Sequence, residues 1–380
     1  MPALFNRTHK NALPQTGKPL IALFSPNLGG GGAERVLVNL AHGLCARGFP
    51  VDVVLVSATG VLLADLPRSA RVVDLRTSRM ALSLPALCRY LIQQRPHSLL
   101  AFLDHANIIA ICAGLLAGGR TRIVASVHSL WPMTEDSFQY GWKTRLISLF
   151  ARRVYQHAFA VVAVSNAAAD KLAHSIGLER KRISVIYNPV ITPVFLEHSS
   201  EAATHPWFDA GQPPVIVGMG SLYPVKDFPT LLRAFAKVRA HSPCRLMIMG
   251  EGERRGELEQ LAESLGVSRD VTLPGFIANP FPNLKRAAVF VLSSRHEGLG
   301  NVLIEALALG VPCIATGCNG GPAEILAGGR YGVLIPVGDV DAMATSISAA
   351  LQRTNAAVPE AAWQPFTLTA ATDAYERILA

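Results

Sequence analysis

Residues 294–310 read SRHEGLGNVLIEALALG, so a polar turn with glycines runs directly into an apolar helix. Glu305 is the only charged residue from Val302 to Gly310, and a helix that is apolar on all sides is a buried one. A buried carboxylate is costly unless a group donates hydrogen bonds to it, as the hydroxyls of a ribose can. Glu297 lies eight positions earlier, and the glycines leave backbone N–H groups open to a phosphate. The stretch therefore predicts a nucleotide-sugar site.

Apolar strands alternate with amphipathic helices through most of the 380 residues, which favours parallel sheets covered by helices on both faces. In the first half, strands are predicted near 19–25, 51–57, 71–75, 98–103, 122–127, 160–164 and 183–186, and helices near 33–47, 82–94, 106–117, 140–157 and 166–175. In the second half, strands are predicted near 214–219, 245–249, 270–273, 288–292, 311–315 and 332–335, and helices near 228–240, 253–265, 301–309, 322–327, 339–352 and 368–379.

A break in composition divides the chain, because residues 188–214 contain five prolines. We predict a fold of the α/β class with two tandem Rossmann-like domains, at 1–190 and 214–365, joined by a linker at 191–213. A last helix, at 366–380, is predicted to cross back to the first domain. Open parallel sheets bind ligands beyond the carboxyl ends of their strands, so two facing sheets predict a site in the cleft between the domains.

The composition indicates which binding partners and which cellular compartment to expect. The net charge is +8, yet the basic residues are scattered and only 7% of residues are aromatic, so we predict no nucleic-acid partner. The charge favours an anionic membrane surface or a phosphate-bearing substrate. No apolar stretch reaches the length of roughly 18–20 residues that spans a bilayer, and the N-terminus lacks a signal-peptide core. We therefore expect a cytoplasmic protein, peripheral on the inner face of the plasma membrane.

The cysteines are six in number and lie far apart, mostly within apolar runs. This pattern favours small buried side chains in a reducing compartment over a disulfide framework or a metal site.

A glycine loop made of Gly29, Gly30, Gly31 and Gly32 separates the first predicted strand from the first helix. Its backbone amides can face an anion. The spacing is not that of a Walker loop, and Ser57 stands where a dinucleotide-binding fold would use an acidic residue. The loop is either an anion-binding turn or a flexible tight turn.

Three further residues stand near the ends of predicted strands. His128 can reach a sugar hydroxyl or the reacting centre, or it can be a loop histidine whose ring is satisfied by the backbone. Lys226 can place its charge beside a diphosphate, or it can be a solvated lysine. The start of a helix carries partial positive charge, so a lysine there is unfavourable unless it binds an anionic ligand. Glu324, behind the turn at 319–321, is interpreted as a first-turn helix charge rather than a ligand contact.

These segments resemble a known family. The stretch EGLGNVLIEALALGVPCIAT, preceded by SSRHE, resembles the E-x7-E signature of retaining glycosyltransferases of family four, which have the GT-B architecture. GSLYPVKDFPTLLRAFA, MIMGEGERRGELEQLAESLGV and VTLPGF resemble the donor domain of that family, and GGGGAERVLVNLA resembles its N-terminal glycine loop. The resemblance covers most of the chain from about residue 20 to 351 and implies an acceptor domain followed by a nucleotide-sugar donor domain.

The resemblance implies a role for each matching residue. Glu297 contacts the donor sugar near the reacting carbon, Glu305 binds the ribose and Lys226 binds the diphosphate. His128 faces the donor sugar. Other residues implied in donor binding are Gly220, Ser221, Gly298, Leu299, Gly300 and Asn301, with the base at Pro274, Gly275 and Phe276. The loop of Gly29, Gly30, Gly31 and Gly32 is implied beside the phosphates and the acceptor.

The chain departs from the family pattern at one position. The family commonly places an arginine five residues before the lysine, and here that position is Ser221. A hydroxyl cannot replace a bidentate guanidinium on a phosphate. Either another cation, for which Arg295 is the candidate, pairs with the phosphate in place of the missing arginine, or the departing phosphate is stabilised less. Lys226 and the helix start then do the work that a metal does elsewhere, so we predict no essential metal and no cofactor beyond the co-substrate.

The acceptor is predicted from residues 142–155, WKTRLISLFARRVY, a basic amphipathic helix with an aromatic end. It can lie at an anionic interface, or it can pack its apolar side on the sheet with solvated cations opposite. With the basic charge of the chain it favours a glycan acceptor on a polyprenyl diphosphate. Two alternatives stay open: a UDP-sugar 2-epimerase of the same architecture, and a sugar-nucleotide-binding protein without transfer activity.

Overall fold

The structure is a computed structural model that describes residues 17–128, 151–352 and 358–380. It divides into two compact units. The first comprises Met1–Pro189 together with Thr367–Ala380, and the second comprises Val190–Phe366. Each unit contains one wholly parallel sheet, so the α/β class predicted from the alternation of strands and helices is confirmed.

The first unit contains a seven-stranded sheet in the order β3-β2-β1-β4-β5-β6-β7. Its central strands are continuous apolar runs that are buried on both faces, as parallel strands must be. The order reverses between β1 and β4, the point at which doubly wound sheets bind ligands beyond their carboxyl ends. The elements are β1 (Ile21–Ser25), α1 (Gly32–Ala46), β2 (Val51–Leu55), β3 (Arg71–Asp74), α2 (Leu84–Gln94), β4 (Ser98–Phe102), α3 (Asp104–Leu116), β5 (Arg122–Val127), β6 (Ala160–Ala163), α4 (Asn166–Ile176) and β7 (Ile183–Val185).

The second unit contains a six-stranded sheet in the order β10-β9-β8-β11-β12-β13, with its reversal between β8 and β11. Lys226 follows β8 and Glu297 follows β11, so the two strands at the reversal carry these two side chains. The elements are α5 (Pro193–His198), β8 (Val215–Met219), α6 (Phe228–Arg239), β9 (Arg245–Met249), α7 (Arg255–Ser264), β10 (Val271–Gly275), α8 (Phe281–Lys285), β11 (Val289–Leu292), α9 (Asn301–Ala308), β12 (Cys313–Thr316), α10 (Pro322–Ile325), β13 (Val333–Ile335) and α11 (Val340–Gln352).

The last helix, α12 (Leu368–Leu379), belongs to the first unit, which confirms the predicted return of the chain. Tyr375 and Leu379 are buried in the first unit's core. Ser98 Oγ donates a hydrogen bond of 2.8 Å to the Leu379 backbone oxygen, and Arg47 on α1 forms ion pairs with Asp373 and Glu376. Both apolar and charged contacts therefore hold this helix.

Two short helices were not predicted. α5 lies within residues 191–213, which the sequence presents as a linker, and α8 follows the predicted strand at 270–273. Each helix has a proline in its first turn and contains six residues or fewer. Because they are so short, neither shows a 3.6-residue period in its sequence. Most of the predicted basic helix at 140–157 lies outside the described residues. Within its described part, residues 151–155 are helical.

All six cysteines lie among the described residues. None of the helices there is long and apolar enough to cross a bilayer. All six cysteines are free thiols, and Cys244, Cys313 and Cys318 are buried as predicted. Cys45, Cys88 and Cys112 are only half-buried, so the expectation of burial was too broad.

Gly43→Ala is expected to destabilise the first unit. A Cβ at this position of α1 would lie 2.2 Å from Thr372 Oγ1 on α12. Such overpacking costs about 1–3 kcal/mol, which exceeds the gain of about 1 kcal/mol that alanine brings within a helix. Urea unfolding measures the loss. Adding Thr372→Ala should recover part of it, and a double variant whose loss equals the sum of the single losses would contradict the packing argument.

Candidate functional site

Lys226 and Glu297 form an ion pair at the carboxyl edge of the second unit's sheet. Lys226 Nζ donates a hydrogen bond of 2.6 Å to Glu297 Oε1, and the side chains are 18% and 10% exposed. Ser294 Oγ donates to the same oxygen at 2.7 Å. Two donors on one oxygen fix the carboxylate. A lysine this enclosed is not a solvated surface residue, so that alternative is wrong.

The backbone under Lys226 is fixed by the loop that follows β11. Residues Pro224–Lys226 form a single 3-10 turn. Ser293 Oγ donates to the Lys226 backbone oxygen at 2.7 Å, and Arg295 N donates to the Val225 oxygen at 2.8 Å. The two loops at the reversal of the strand order are thus joined to each other.

Glycines let neighbouring loops approach this pair closely. A Cβ on Gly320 would lie 1.9 Å from the Glu297 backbone oxygen, and one on Gly321 would lie 2.3 Å from that of Leu299. A side chain at either position would push the Glu297 loop away. The turn at 319–321 therefore supports the site from behind, and Glu324 lies in the first turn of α10, as predicted.

The helix α9 begins directly after this loop. Gly300 precedes it in the left-handed region, with φ of 101°, which suits glycine. Gly298 and Leu299 complete the turn, and Asn301 is the first helical residue.

Glu305 on α9 is 9% exposed, so its predicted burial is confirmed. Its side chain or backbone also has an interaction partner inside the protein. Its burial alone therefore does not require a ligand, contrary to the expectation from the sequence.

The turn after β10 is tied to the same edge through backbone hydrogen bonds. Gly250 N donates to the Gly275 oxygen at 2.9 Å, and Gly220 N donates to the Met249 oxygen at 3.0 Å. Gly220 also leaves room for the lysine stem, since a Cβ there would lie 3.3 Å from Lys226 Cε. Pro274 and Phe276 flank Gly275, and the Phe276 ring is 68% exposed, which leaves an aromatic face open at the predicted base position.

Ser221 is exposed, and the structure places Arg295 beside Asp227. Arg295 Nε lies 3.2 Å from Asp227 Oδ2, without the alignment of a hydrogen bond, and its side chain is 58% exposed. Asp227 therefore offsets part of the charge for which Arg295 was the candidate. Whether Arg295 serves a phosphate stays a prediction.

The glycine loop of the first unit is anchored by backbone hydrogen bonds. Leu28 N donates to the Thr59 oxygen at 2.9 Å, and Leu62 N donates to the Leu28 oxygen at 3.2 Å. Gly29 and Gly30 follow, Gly31 is the N-cap of α1, and Gly32 is its first residue. The Glu34 carboxylate lies against Gly31. The anion-binding role of this loop stays a prediction.

His128 follows β5 in the first unit. Its Nε2 lies 2.9 Å from Ser126 Oγ, and its ring stacks on Phe102 with centroids 5.3 Å apart. Its Nδ1 is buried and has no hydrogen-bond partner within the described part of the chain. The ring is therefore held by side chains rather than by the backbone, with one nitrogen left over.

Models of two protein families match the chain. The model described as Glycosyltransferase Family 4 matches residues 30–192, and the one described as Glycosyl transferases group 1 matches residues 213–353. Together they match most of both units. The chain belongs to glycosyltransferase family 4.

Relatives span nearly the whole chain. An N-acetylgalactosamine-N,N'-diacetylbacillosaminyl-diphospho-undecaprenol 4-alpha-N-acetylgalactosaminyltransferase of Campylobacter jejuni is 27% identical over 346 residues, which is 87% of this chain and 90% of that protein. The lipopolysaccharide core biosynthesis glycosyltransferase LpsE of Rhizobium meliloti is 27% identical over 364 residues, which is 92% of this chain and 96% of that protein.

A solved structure shows the fold of this family 4 chain. Anabaena HepE in complex with UDP-glucose matches with a TM-score of 0.76 at 20% identity, and the match covers 95% of this chain and 99% of that one. The GT-B architecture predicted by resemblance is confirmed.

The site contains residues that sequence reasoning missed. Ser294 stands three positions before Glu297, a serine-to-glutamate spacing that also occurs at helix starts and could have drawn attention. Ser126 and Phe102 gave no such signal, because each reads as part of a buried strand.

The stability of the family 4 chain is expected to fall below pH 6.5, in part because of His128. Burial lowers the pKa of His128 to about 4. Between these values the unfolded chain binds a proton that the folded chain does not, so stability falls by up to about 1.4 kcal/mol per pH unit. His128→Gln should therefore lose less stability than the wild type between pH 7 and pH 5 in urea unfolding. Parallel losses would contradict the burial of the ring.

Proposed function

We propose that this family 4 glycosyltransferase moves a sugar from a nucleoside diphosphate sugar to a hydroxyl of a glycan acceptor, with retention of configuration and without a metal ion. The observation that carries the proposal is the Lys226–Glu297 pair beside the start of α9. The carboxyl edge of the second unit's sheet thus has the Lys226 cation, the Glu297 carboxylate in a fixed position and the backbone amides at the start of α9. A diphosphate attached to a sugar needs all three.

The chemistry breaks the bond between the anomeric carbon and the diphosphate. Positive charge develops on the sugar and negative charge on the departing phosphate. Lys226 and the amides at the start of α9 would stabilise the phosphate, and Glu297 would accept hydrogen bonds from sugar hydroxyls. The acceptor hydroxyl would attack from the face of the leaving group and give its proton to the departing phosphate oxygen, which gives retention without a protein nucleophile. Full activity in EDTA supports the metal-free proposal, and activity that returns only with Mg²⁺ overturns it.

The donor and acceptor are proposed from the relatives and from charge. HepE is described in complex with UDP-glucose, and the name of the Campylobacter jejuni relative contains a diphospho-undecaprenol acceptor. We propose a UDP-sugar or GDP-sugar donor and a glycan linked to a polyprenyl diphosphate. The net charge of +8 supports work at an anionic membrane surface, on the inner face of the plasma membrane.

Glu305→Ala is expected to weaken UDP binding by about 10- to 100-fold, because hydrogen bonds from ribose hydroxyls to a charged group contribute about 1.5–3 kcal/mol. Isothermal calorimetry with UDP measures the change. Glu324→Ala is the matched control, since that carboxylate stands in the first turn of α10. An unchanged dissociation constant for Glu305→Ala would remove the ribose role.

One assay separates the proposal from its two rivals. The protein is incubated with UDP-sugars and GDP-sugars, with and without a membrane lipid extract. Labelled sugar in the lipid fraction supports transfer. A 2-epimer formed without the extract identifies an epimerase, and nucleotide binding without either product identifies a binding protein.

A further inference from the structure

His128 is the end of a hydrogen-bonded chain that starts on the last helix. Ser126 Oγ lies 2.9 Å from His128 Nε2 and 3.3 Å from Tyr375 OH on α12. Ser126 and Tyr375 are both buried, and Phe102 covers one face of the imidazole. All these groups belong to the first unit. The side chain predicted to face the donor sugar is thus backed by residues far away in sequence.

The number of available protons decides which group donates in each hydrogen bond of this series. Tyr375 and Ser126 each have one hydroxyl proton. If Ser126 donated to Tyr375, the buried phenol proton would have no acceptor among the residues that the structure describes. A buried donor without an acceptor costs about 1–3 kcal/mol. If Tyr375 donates to Ser126 and Ser126 donates to His128 Nε2, both hydroxyl protons are used, and the imidazole N–H is the single group left without a partner among the described residues. The opposite direction leaves two such groups, the phenol O–H and the unprotonated Nδ1.

The direction decides the tautomer of His128. Burial lowers the pKa of the imidazole to about 4, so the ring is neutral at pH 7 and carries a single N–H. When Nε2 accepts from Ser126, that proton is on Nδ1. Nδ1 is the buried nitrogen that has no partner within the described part of the chain.

We propose that Tyr375 and Ser126 are positioning residues that hold His128 as the Nδ1–H tautomer, with Nδ1 ready to donate a hydrogen bond to an oxygen of the donor sugar. The link to the sugar rests on the proposed function; the tautomer does not. The arrangement selects a hydroxyl or ring oxygen, which accepts, over an ammonium group, which cannot. It also gives α12 a part in the site beyond stability.

The tautomer is tested by nitrogen NMR on the full-length protein with ¹⁵N-labelled histidine. The His128 signals are assigned from their absence in His128→Gln. We expect the proton on Nδ1 in the wild type, and a rise of the Nε2–H form in Tyr375→Phe and in Ser126→Ala. Tyr90→Phe is the matched control, because Tyr90 is also buried in the first unit and its hydroxyl bonds to Asp52 instead. A wild-type proton on Nε2, or an unchanged tautomer in both variants, overturns the proposal.

Kinetics test the link to the sugar separately. Tyr375→Phe should lower kcat/KM for the nucleotide sugar by about tenfold, the loss expected for one misdirected hydrogen bond, while inhibition by free UDP stays unchanged. Tyr90→Phe should leave kcat/KM near the wild-type value. If no donor is turned over by the wild type but the tautomer is as stated, the proposed function fails and the positioning stands. If transfer proceeds and Tyr375→Phe behaves as Tyr90→Phe does, the positioning role in transfer fails and the proposed function stands.

Discussion

Glu297→Gln is expected to lower sugar transfer by at least about a thousandfold while leaving UDP affinity within about threefold of the wild type. The carboxylate is held by Lys226 and Ser294 on one oxygen, so its place is set before the sugar arrives. Glutamine keeps the size of the side chain but removes the charge that would face the developing cation on the sugar. Because UDP has no sugar at that place, its binding should hardly change.

The measurement is kcat with a saturating nucleotide sugar, paired with calorimetric titration of UDP. Glu324→Gln serves as the control, since it removes a carboxylate from the same unit outside the proposed donor contacts. Turnover by Glu297→Gln close to that of Glu324→Gln would remove Glu297 from the mechanism.

Lys226→Met is expected to lower both transfer and UDP affinity, by about 10²–10³ and about 10-fold or more respectively, because the lysine charge would serve the diphosphate before and during bond breaking. Methionine keeps an apolar stem beside Gly220. The change also leaves the Glu297 carboxylate enclosed without its cation, which costs about 3 kcal/mol of stability.

The two substitutions should not be additive. Because Lys226 and Glu297 share a hydrogen bond, the double variant is expected to be more stable than the sum of the single losses predicts. Thermal unfolding of the four proteins measures this coupling, with Lys237→Met as the control for loss of an exposed lysine that pairs with Asp341. UDP affinity unaltered in Lys226→Met would contradict the diphosphate role.

The fold was largely predictable because most of its strands are short, mainly apolar runs. β1, β2 and β4 are buried at every position, so their boundaries stand out against the flanking polar turns. The short helices α5 and α8 were not predictable, since fewer than two turns leave no period to detect.

The site was predictable only where its residues are close in sequence. Glu297, Gly300 and Glu305 lie within one segment, and their place at the start of a buried helix follows from its pattern. Contacts across the chain were not accessible in this way. Ser126 and Tyr375 are 249 positions apart, and their contact depends on how α12 packs against the first sheet.

The most direct test of the central claim is a crystal structure of the protein with UDP bound, with GDP in parallel. We expect phosphate oxygens within about 3.2 Å of Lys226 Nζ and of amides at the start of α9, with the ribose hydroxyls at Glu305. Nucleotide bound with its diphosphate away from both Lys226 and α9, at any other place on the protein, would contradict the account.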